Sequence, residues 1–478
     1  MSILRSLRLL GAVEAGTVSG TQLQTFLTDA GRRSEFSVLL SNRGQTRRMA
    51  ASSLTMAAIV TCPAAVDIVF KDATADTQHA AKSVATNAGA MNLVSNNPNS
   101  LRVVAANPVS WGLFNKSSHY ETNVKAIVAN YASINPTLYP TTTDLVNDPD
   151  AMASIAGTPY AMSAVVASIA TTAIVVASSV SMALVAANGM AIDIVAKETS
   201  IMGLVANSTP AMIEIVTRAT ATHRMAANPG AIAAIAASPD AWSRYLAGAF
   251  FATNLPLALA NMIGVSPIAF PTLASIIADA SALGKVASNK SAVEALASNS
   301  AAMSTLAASP NIGIILGSSI AMGVIGINVT AMGSFLGSPG AWAGLFASSV
   351  AKGYIVASTP LVNIVAGNSA LITYLGTLAV TQAATGIPDG NATALQPFTG
   401  LPSKVLVLSA KEVGIAATFS PYNFGGSPMA GTQAGATLSL TSTAQLAHVA
   451  GYTNMTWNLQ AIGVTAATLP IITYVSMV

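Results

Sequence analysis

A ten-residue period runs through most of this chain and limits what it can fold into more than any other feature. The pair Ala-Met, or a variant of it, recurs at this spacing. The pairs start at residues 151, 161, 181, 191, 201, 211, 231 and 241, then at 282, 292 and 302, and then at 311, 321, 331, 341, 351 and 361. A short fixed period indicates that one small unit is stacked many times. The sequence therefore predicts an array that produces length and surface.

The unit that begins at Ser338 shows how ten residues can form a helix and a corner. Ser338 is a typical N-cap residue, whose hydroxyl would accept a hydrogen bond from a free helix amide. Pro339 suits the first helical position, where its missing N–H is not needed. Trp342, Leu345 and Phe346 follow at i, i+3 and i+4 and so share one helix face. Because such a short helix is not stable alone, it must bury this face against neighbouring units.

The predicted fold is mainly α, with a ten-residue-repeat α-solenoid shaft over residues 51–377. The repeat is irregular near 115–150 and 250–275, where proline-containing turns fall outside the period. A β-solenoid is the alternative, since its rungs also favour Val, Ile and small residues. The abundance of Ala and Met and the helical spacing of the large side chains favour the α-solenoid.

Residues 1–50 differ from the array and carry most of the arginine. Their spacing predicts two short amphipathic helices separated near Gly31, forming a small helical N-terminal attachment region. A solvated helix face or an inter-subunit contact explains the basic cluster, and a nucleic-acid or phospholipid patch is the alternative. Only one aromatic residue, Phe36, lies among these arginines as a possible stacking partner for a base, which argues against nucleic acid. The candidate attachment residues are Arg32, Arg33, Arg43, Arg47 and Arg48.

The C-terminal fifth of the chain changes character. A turn-rich linker is predicted at 378–389, followed by a β-rich domain at 390–478 that resembles a small β-sandwich or barrel. Short strands are predicted at 404–409, 414–419, 436–440, 455–462 and 469–475. Four aromatic residues of this domain either fill its core or form an exposed surface that contacts a glycan or a protein. These candidate binding residues are Tyr422, Phe424, Tyr452 and Trp457.

The sequence shows no arrangement typical of catalysis or of cofactor binding. The four histidines are far apart, and Cys62, the only cysteine, lies in an apolar stretch as a small buried hydrophobe would. Metal-ligand spacings, nucleophile elbows and phosphate-binding glycine loops are all missing from the sequence. We therefore expect that the protein is not an enzyme and that it has neither a metal site nor a cofactor.

The low charge has two possible explanations. Only 8% of the residues are charged and 52% are hydrophobic, whereas soluble domains average about 25% charged residues. Either the chain lies in a membrane, or copies bury much of its surface against one another. Residues 151–192 and 295–351 contain no charge, yet Ser, Asn and Pro interrupt the second stretch about every ten residues. Ten helical residues cover only about 15 Å, so a membrane span is the less favoured explanation.

Long Ala-Met-x-x-Val-Ala runs, as in 151–213 and 291–347, follow an arginine-bearing helical N-terminus and precede a β-rich C-terminus. In this combination the chain resembles structural proteins of tailed bacteriophages, specifically tail-fibre or baseplate-associated subunits. The resemblance implies a virion component in the phage tail, assembled in the host cytoplasm. It further implies a homotrimer that is anchored to other virion proteins by one end. The chain departs from many fibre proteins because it has neither β-helical shaft repeats nor collagen-like repeats.

The function expected from these features is that of a tail-fibre subunit. Its N-terminus would anchor it, and its C-terminal β-domain would contact either a host surface glycan or protein or a neighbouring subunit. A collar, sheath or capsid-decoration protein is the first alternative, and a membrane-inserting repeat protein is the second. No nucleic-acid partner is expected.

Overall fold

The computed structural model describes residues 2–71, 73–74, 78–383, 395–398, 404–411, 417–422, 438–440, 445–453, 456–461 and 471–478. The protein is mainly α-helical, as the repeat predicts. It divides into two compact units, Met1–Asn254 and Leu255–Val478.

Short helices follow one another through the first unit. They are α1 Ser2–Glu14, α2 Gly20–Leu27, α3 Ala30–Leu40, α4 Arg43–Ala51, α5 Ser53–Val60, α6 Pro63–Val66, α7 His79–Ala85, α8 Ala88–Ser95, α9 Pro98–Ala106, α10 Pro108–Phe114, α11 Tyr120–Tyr131, α12 Thr142–Asn147, α13 Pro149–Ala156, α14 Pro159–Val166, α15 Ile169–Ala177, α16 Ser179–Ala187, α17 Gly189–Lys197, α18 Thr199–Asn207, α19 Thr209–Val216, α20 Ala219–Ala227, α21 Pro229–Ala237 and α22 Pro239–Ala247. A π-helical segment, Asp67–Lys71, and a 3₁₀ turn, Pro136–Leu138, complete the helical part of this unit.

Helix α23, Phe251–Met262, contains the boundary between the units. The second unit continues with α24 Leu273–Ala278, α25 Ala280–Ala287, α26 Lys290–Ala297, α27 Ser300–Ala307, α28 Ile312–Leu316, α29 Ser319–Ile325, α30 Val329–Leu336, α31 Pro339–Ala347, α32 Ser349–Val356, α33 Thr359–Gly367 and α34 Ser369–Leu378.

One helix and one corner make up each ten-residue unit. In the ten-residue repeat that contains α30, the pairs Ala331–Met332 and Phe335–Leu336 are buried. They lie at i, i+1, i+4 and i+5 and so share one helix face. The corner residue Asn328 has extended backbone, and its side chain accepts a hydrogen bond from the amide of Ala331. The predicted Ala-Met pair is therefore the buried face of a short capped helix.

In the regular parts of the repeat, a helix packs against the third helix after it in the chain. In the first unit α16 packs on α19, α17 on α20 and α18 on α21, and in the second unit α26 packs on α29 and α27 on α30. Five pairs of consecutive apolar helices are bent by between 96° and 105° at their corners. In these stretches three consecutive helices, called a turn below, bring the chain back against its own earlier helices.

The corner residues join successive turns by hydrogen bonds. The Ser318 hydroxyl accepts from the amide of Ala321 (3.2 Å) and donates to the carbonyl of Ala287 (2.6 Å), 31 residues earlier. Asn368 makes the corresponding two hydrogen bonds with two different atoms. Its Oδ1 accepts from the amide of Leu371 (3.0 Å), and its Nδ2 donates to the carbonyl of Leu336 (3.2 Å). One side chain therefore caps its own helix and satisfies a carbonyl of the turn below.

Ser338 does not cap its helix through its side chain, so that detail of the prediction is wrong. The residue is the N-cap of α31, and Pro339 follows at the first position as predicted. Its hydroxyl donates instead to the carbonyl of Ala307 (3.3 Å), one turn earlier. Trp342 is 6% exposed, and Leu345 and Phe346 are likewise buried, as the helical spacing predicts.

Four helices, α1 to α4, occupy the first 51 residues, where two were predicted. The break predicted near Gly31 is two residues too late. Thr28 is the C-cap of α2, and Asp29 is the N-cap of α3, accepting a hydrogen bond from the amide of Arg32 (2.9 Å). Gly31 therefore lies inside α3. An Asp side chain at an N-cap fixes a helix start more strongly than a glycine interrupts one.

The two irregular stretches of the repeat have the same local structure. Each contains a twelve-residue helix, α11 or α23. Two residues after the helix ends lies a residue with left-handed backbone: Ser133 (φ 59°) in the first stretch and Gly264 (φ 65°) in the second. Each then reaches a threonine N-cap with a capping box, Thr141 for α12 and Thr272 for α24. Corresponding residues of the two stretches are 131 positions apart in the chain. The lapses in the ten-residue period are thus a second, longer repeat that the sequence reasoning missed.

Eight strands lie among the described residues after α34. They are β1 Val380–Ala383, β2 Leu395–Phe398, β3 Lys404–Lys411, β4 Ala417–Tyr422, β5 Leu438–Leu440, β6 Gln445–Thr453, β7 Thr456–Ala461 and β8 Ile471–Ser476. They pair as two four-stranded sheets with the orders β1-β8-β3-β6 and β2-β7-β4-β5, and all the pairings are antiparallel. The five predicted strands overlap β3, β4, β5, β7 and β8. Strand β1 lies within the predicted linker 378–389.

Candidate interaction sites

The five candidate attachment arginines lie on two neighbouring helices. Arg32 and Arg33 are on α3, and Arg43, Arg47 and Arg48 are on α4. Three of them interact with other residues of the same unit, and the other two line a cleft.

Those three arginines are held by local partners. The Arg48 guanidinium pairs with Glu14 of α1 at 2.5 Å. Arg33 forms an ion pair of 3.5 Å with Asp67. The Arg32 guanidinium lies over the ring of Phe26, 4.8 Å from its centroid, in a cation–π contact. These contacts connect the first helices to one another and to the segment after α6.

Arg43 and Arg47 line a cleft of about 510 Å³ between α4 and α7. They are one turn apart on α4, and His79 and Lys82 face them from α7. Gln78 and Thr86 also line the cleft. No Asp or Glu of the described residues is among its lining, and none forms an ion pair with Arg43, Arg47 or Lys82.

Two hydroxyl groups close the floor of this cleft. Ser83 donates to the Thr46 hydroxyl (3.0 Å), and Thr46 in turn donates to the carbonyl of Arg43 (3.0 Å). Thr46 is fully buried, so this pair fixes α4 against α7. Asp72 and Asp76 are outside the described residues.

A second cleft, of about 430 Å³, has both signs of charge. Lys116, Lys197 and Glu198 line it together with Trp111. The Lys197 ammonium already pairs with Asp193 at 2.5 Å on the same helix. This balanced lining gives no preference for a ligand of either charge.

The four aromatic candidates near the C-terminus do not come together on one strand or loop. Tyr422 is the last residue of β4, and Trp457 belongs to the neighbouring strand β7, opposite Pro421. Tyr452 lies in β6 of the other sheet, opposite Val405. Phe424 is outside the described residues. The backbone therefore groups Tyr422 with Trp457 and separates both from Tyr452.

Three buried tyrosines form polar features that the sequence reasoning missed. The hydroxyl of Tyr120 donates to the carbonyl of Ala164 (2.8 Å), and that of Tyr131 donates to the carbonyl of Leu101 (2.9 Å). The hydroxyl of Tyr245 is buried with no hydrogen-bond partner among the described residues. Burial raises the pKa of all three phenols, because the apolar surroundings disfavour the phenolate. They act as neutral core residues.

Cys62 is fully buried, as its apolar context predicts. Its thiol donates to Oε1 of Gln24 (3.3 Å), and burial is the main cause that raises its pKa. A raised pKa leaves little thiolate at neutral pH, so this thiol is a poor nucleophile. Within the described residues no three His, Cys, Asp or Glu side chains are grouped so that they could hold a metal ion.

Among the described residues no single helix is both long and apolar enough to span a bilayer. The five helix pairs that would reach this length together are the sharply bent ones described above.

No protein-family model matches this chain, and a comparison with curated protein sequences finds no similar protein.

Proposed function

We propose that this chain is a virion structural protein, specifically a homotrimeric tail-fibre subunit of a tailed bacteriophage. In this proposal the stacked helices of each unit are α-solenoid segments, and the C-terminal strands form a β-sandwich-like domain. The N-terminal helices anchor the subunit to other virion proteins. The C-terminal domain contacts either a host surface glycan or protein or a neighbouring subunit, with Tyr422 and Trp457 as its first candidate contact residues.

The recurrence of one packing arrangement carries the proposal. The same helix, corner and inter-turn hydrogen bond recur in both units, as in the bond from Ser208 to the carbonyl of Val176 in the first and from Ser318 to the carbonyl of Ala287 in the second. Repeats in which each unit contacts only its near neighbours grow by addition and supply extended surface. Such a scaffold suits a structural component better than it suits a compact catalytic domain.

Exposed apolar side chains support assembly from several copies. Ile169 is 61% exposed and Ile327 is 74% exposed, and Val180 and Ile320 are about half exposed at helix starts. Together with the small number of charges, these residues give the helical surface an apolar character that association would remove from water.

Negative-stain electron microscopy of the full chain without detergent, combined with mass measurement by light scattering, tests the proposal. Slender particles of trimeric mass are the expected result. Closed rings or sheets would contradict the fibre and favour the collar, sheath or decoration alternative. Monodisperse compact monomers would refute both, and particles that disperse only in detergent would favour the membrane alternative.

A further inference from the structure

We propose that the cleft between α4 and α7 binds a small ligand that carries two linked phosphate groups. The cleft belongs entirely to the first unit, and the inference is independent of the proposed virion role.

Convergence of positive charge is the first argument. Arg43 and Arg47 reach the cleft from one helix and Lys82 from the other, with the His79 imidazole beside them. Like charges that converge on one cleft repel one another, and no described carboxylate balances them. Two nearby arginines outside the cleft, Arg33 of α3 and Arg48 of α4, have acidic partners. An anionic ligand would remove this imbalance.

The position of Arg43 adds to the imbalance. It is the first residue of α4, and the first turn of that helix has no acidic residue. The start of a helix carries a partial positive charge, so a cation there is unfavourable by itself. A bound anion would interact favourably with both the guanidinium and the helix start.

The chemistry of the donors favours phosphate. Guanidinium groups bind phosphate oxygens through two parallel hydrogen bonds, and an ammonium adds a point charge. The Ser83 and Thr46 hydroxyls already bond to each other across the floor, and the Thr86 hydroxyl donates to the carbonyl of Lys82 (2.9 Å). The ligand must therefore be held mainly by charged groups, which matches a multiply charged anion.

Size and charge indicate two phosphate groups. A phosphate monoester carries a charge of about −1.5 to −2 at pH 7, so one group does not balance the three fixed positive charges of Arg43, Arg47 and Lys82. A cleft of about 510 Å³ also has room for more than one phosphate. Because no Phe, Tyr or Trp ring is among the described residues that line it, a nucleobase would gain little from stacking. We therefore expect pyrophosphate to bind about as tightly as ADP.

Isothermal titration of pyrophosphate into the full chain at low salt tests this inference. The test variant is Arg43→Gln with Arg47→Gln. The control is Arg102→Gln with Arg244→Gln, which removes two exposed arginines of the same unit that do not line the cleft. We expect one site per chain, a loss of affinity of about tenfold or more in the test variant, and less than about a twofold change in the control.

Several outcomes would overturn the inference. They are no binding to the unmodified chain, equal losses in test and control variants, or ADP binding more than about tenfold tighter than pyrophosphate. Binding of a single-stranded oligonucleotide without binding of pyrophosphate would indicate a nucleic-acid surface and would also refute it. Circular dichroism and thermal melting check that the variants are folded. Lys82→Gln, on the opposite helix, supplies a second variant that must also weaken binding.

Discussion

Asn107 provides the sharpest test of how the corners hold this fold together. Its Oδ1 accepts hydrogen bonds from the amides of Val109 (2.9 Å) and Ser110 (3.0 Å) and so caps α10. Its Nδ2 donates to the carbonyls of Lys71 (2.8 Å) and Ala73 (3.0 Å), more than thirty residues earlier. Asn107→Asp keeps the capping oxygen and replaces both donors with a carboxylate oxygen that faces two carbonyls.

Asn188 is the matched control. Its Oδ1 caps α17 in the same way, accepting from the amides of Met190 and Ala191 at 3.0 Å each. Its Nδ2 makes no hydrogen bond within the described residues. Asn188→Asp should therefore be neutral or slightly stabilising, since Asp is as good an N-cap as Asn and suits the positive helix start.

The expected magnitudes follow from these contacts. Each lost inter-turn hydrogen bond costs about 0.5–1.5 kcal/mol net, so Asn107→Asp should lower the local free energy of opening by about 1–3 kcal/mol. Asn107→Ala also loses the cap, which adds about 1 kcal/mol. Asn188→Ala should lose only that cap contribution of about 1 kcal/mol.

Native-state hydrogen exchange measured by mass spectrometry is the appropriate assay. A repeat array need not unfold in one step, whereas exchange reports the opening of each segment separately. Peptides that cover Pro108–Phe114 and Gly189–Lys197 give the two local opening free energies. Equal changes for Asn107→Asp and Asn188→Asp would show that the inter-turn bonds contribute nothing, and the reasoning would be refuted.

Two further comparisons test buried contacts by thermal or urea unfolding. Tyr245→Phe should be neutral or stabilising, because it removes a buried hydroxyl with no described partner, whereas Tyr131→Phe should cost about 0.5–1.5 kcal/mol for its lost hydrogen bond to a carbonyl; a larger loss at Tyr245 would contradict this. Gly326→Ala should destabilise, since the new Cβ would lie 2.4 Å from the ring of Tyr354, while Gly323→Ala, with no atom within 4 Å, should stabilise its helix by up to about 1 kcal/mol. Equal effects at the two glycines would show that the ring moves aside at little cost.

The helical fold could be predicted because its determinants are local. Large side chains at i, i+3 and i+4 and a capping residue before them lie within ten residues, so one repeat contains both the helix and its start signal. Pro339 and Trp342 were placed correctly on this basis. The α-solenoid also requires long-range stacking of the helices, and it stays part of the proposal.

The hydrogen bonds between turns could not be predicted, because their acceptors are backbone carbonyls more than thirty residues away. Ser338 and Ser318 look alike in the sequence, yet Ser318 both caps and bridges whereas Ser338 only bridges. Small differences in corner geometry decide which amide or carbonyl the hydroxyl reaches. The same limit applies to the cleft, whose cationic residues from α4 and α7 are separated by more than thirty positions.

The longer repeat shows that the irregular stretches are specified as strictly as the regular ones. The left-handed residue after α11 is a serine and the one after α23 is a glycine, yet the hydrogen bonds around them correspond: Ile134 to Ala129 (2.7 Å) in the first, and Val265 to Ala260 (2.9 Å) in the second. A left-handed serine costs energy that glycine avoids, so the surrounding packing must impose this turn on Ser133. If the stretches were tolerated insertions, nothing would require the turn, the threonine cap and the next N-cap aspartate, Asp148 or Asp279, to recur at the same spacing. Their recurrence at one spacing indicates that each stretch is a defined structural unit, in which a twelve-residue helix is followed by a left-handed turn and a threonine-capped helix.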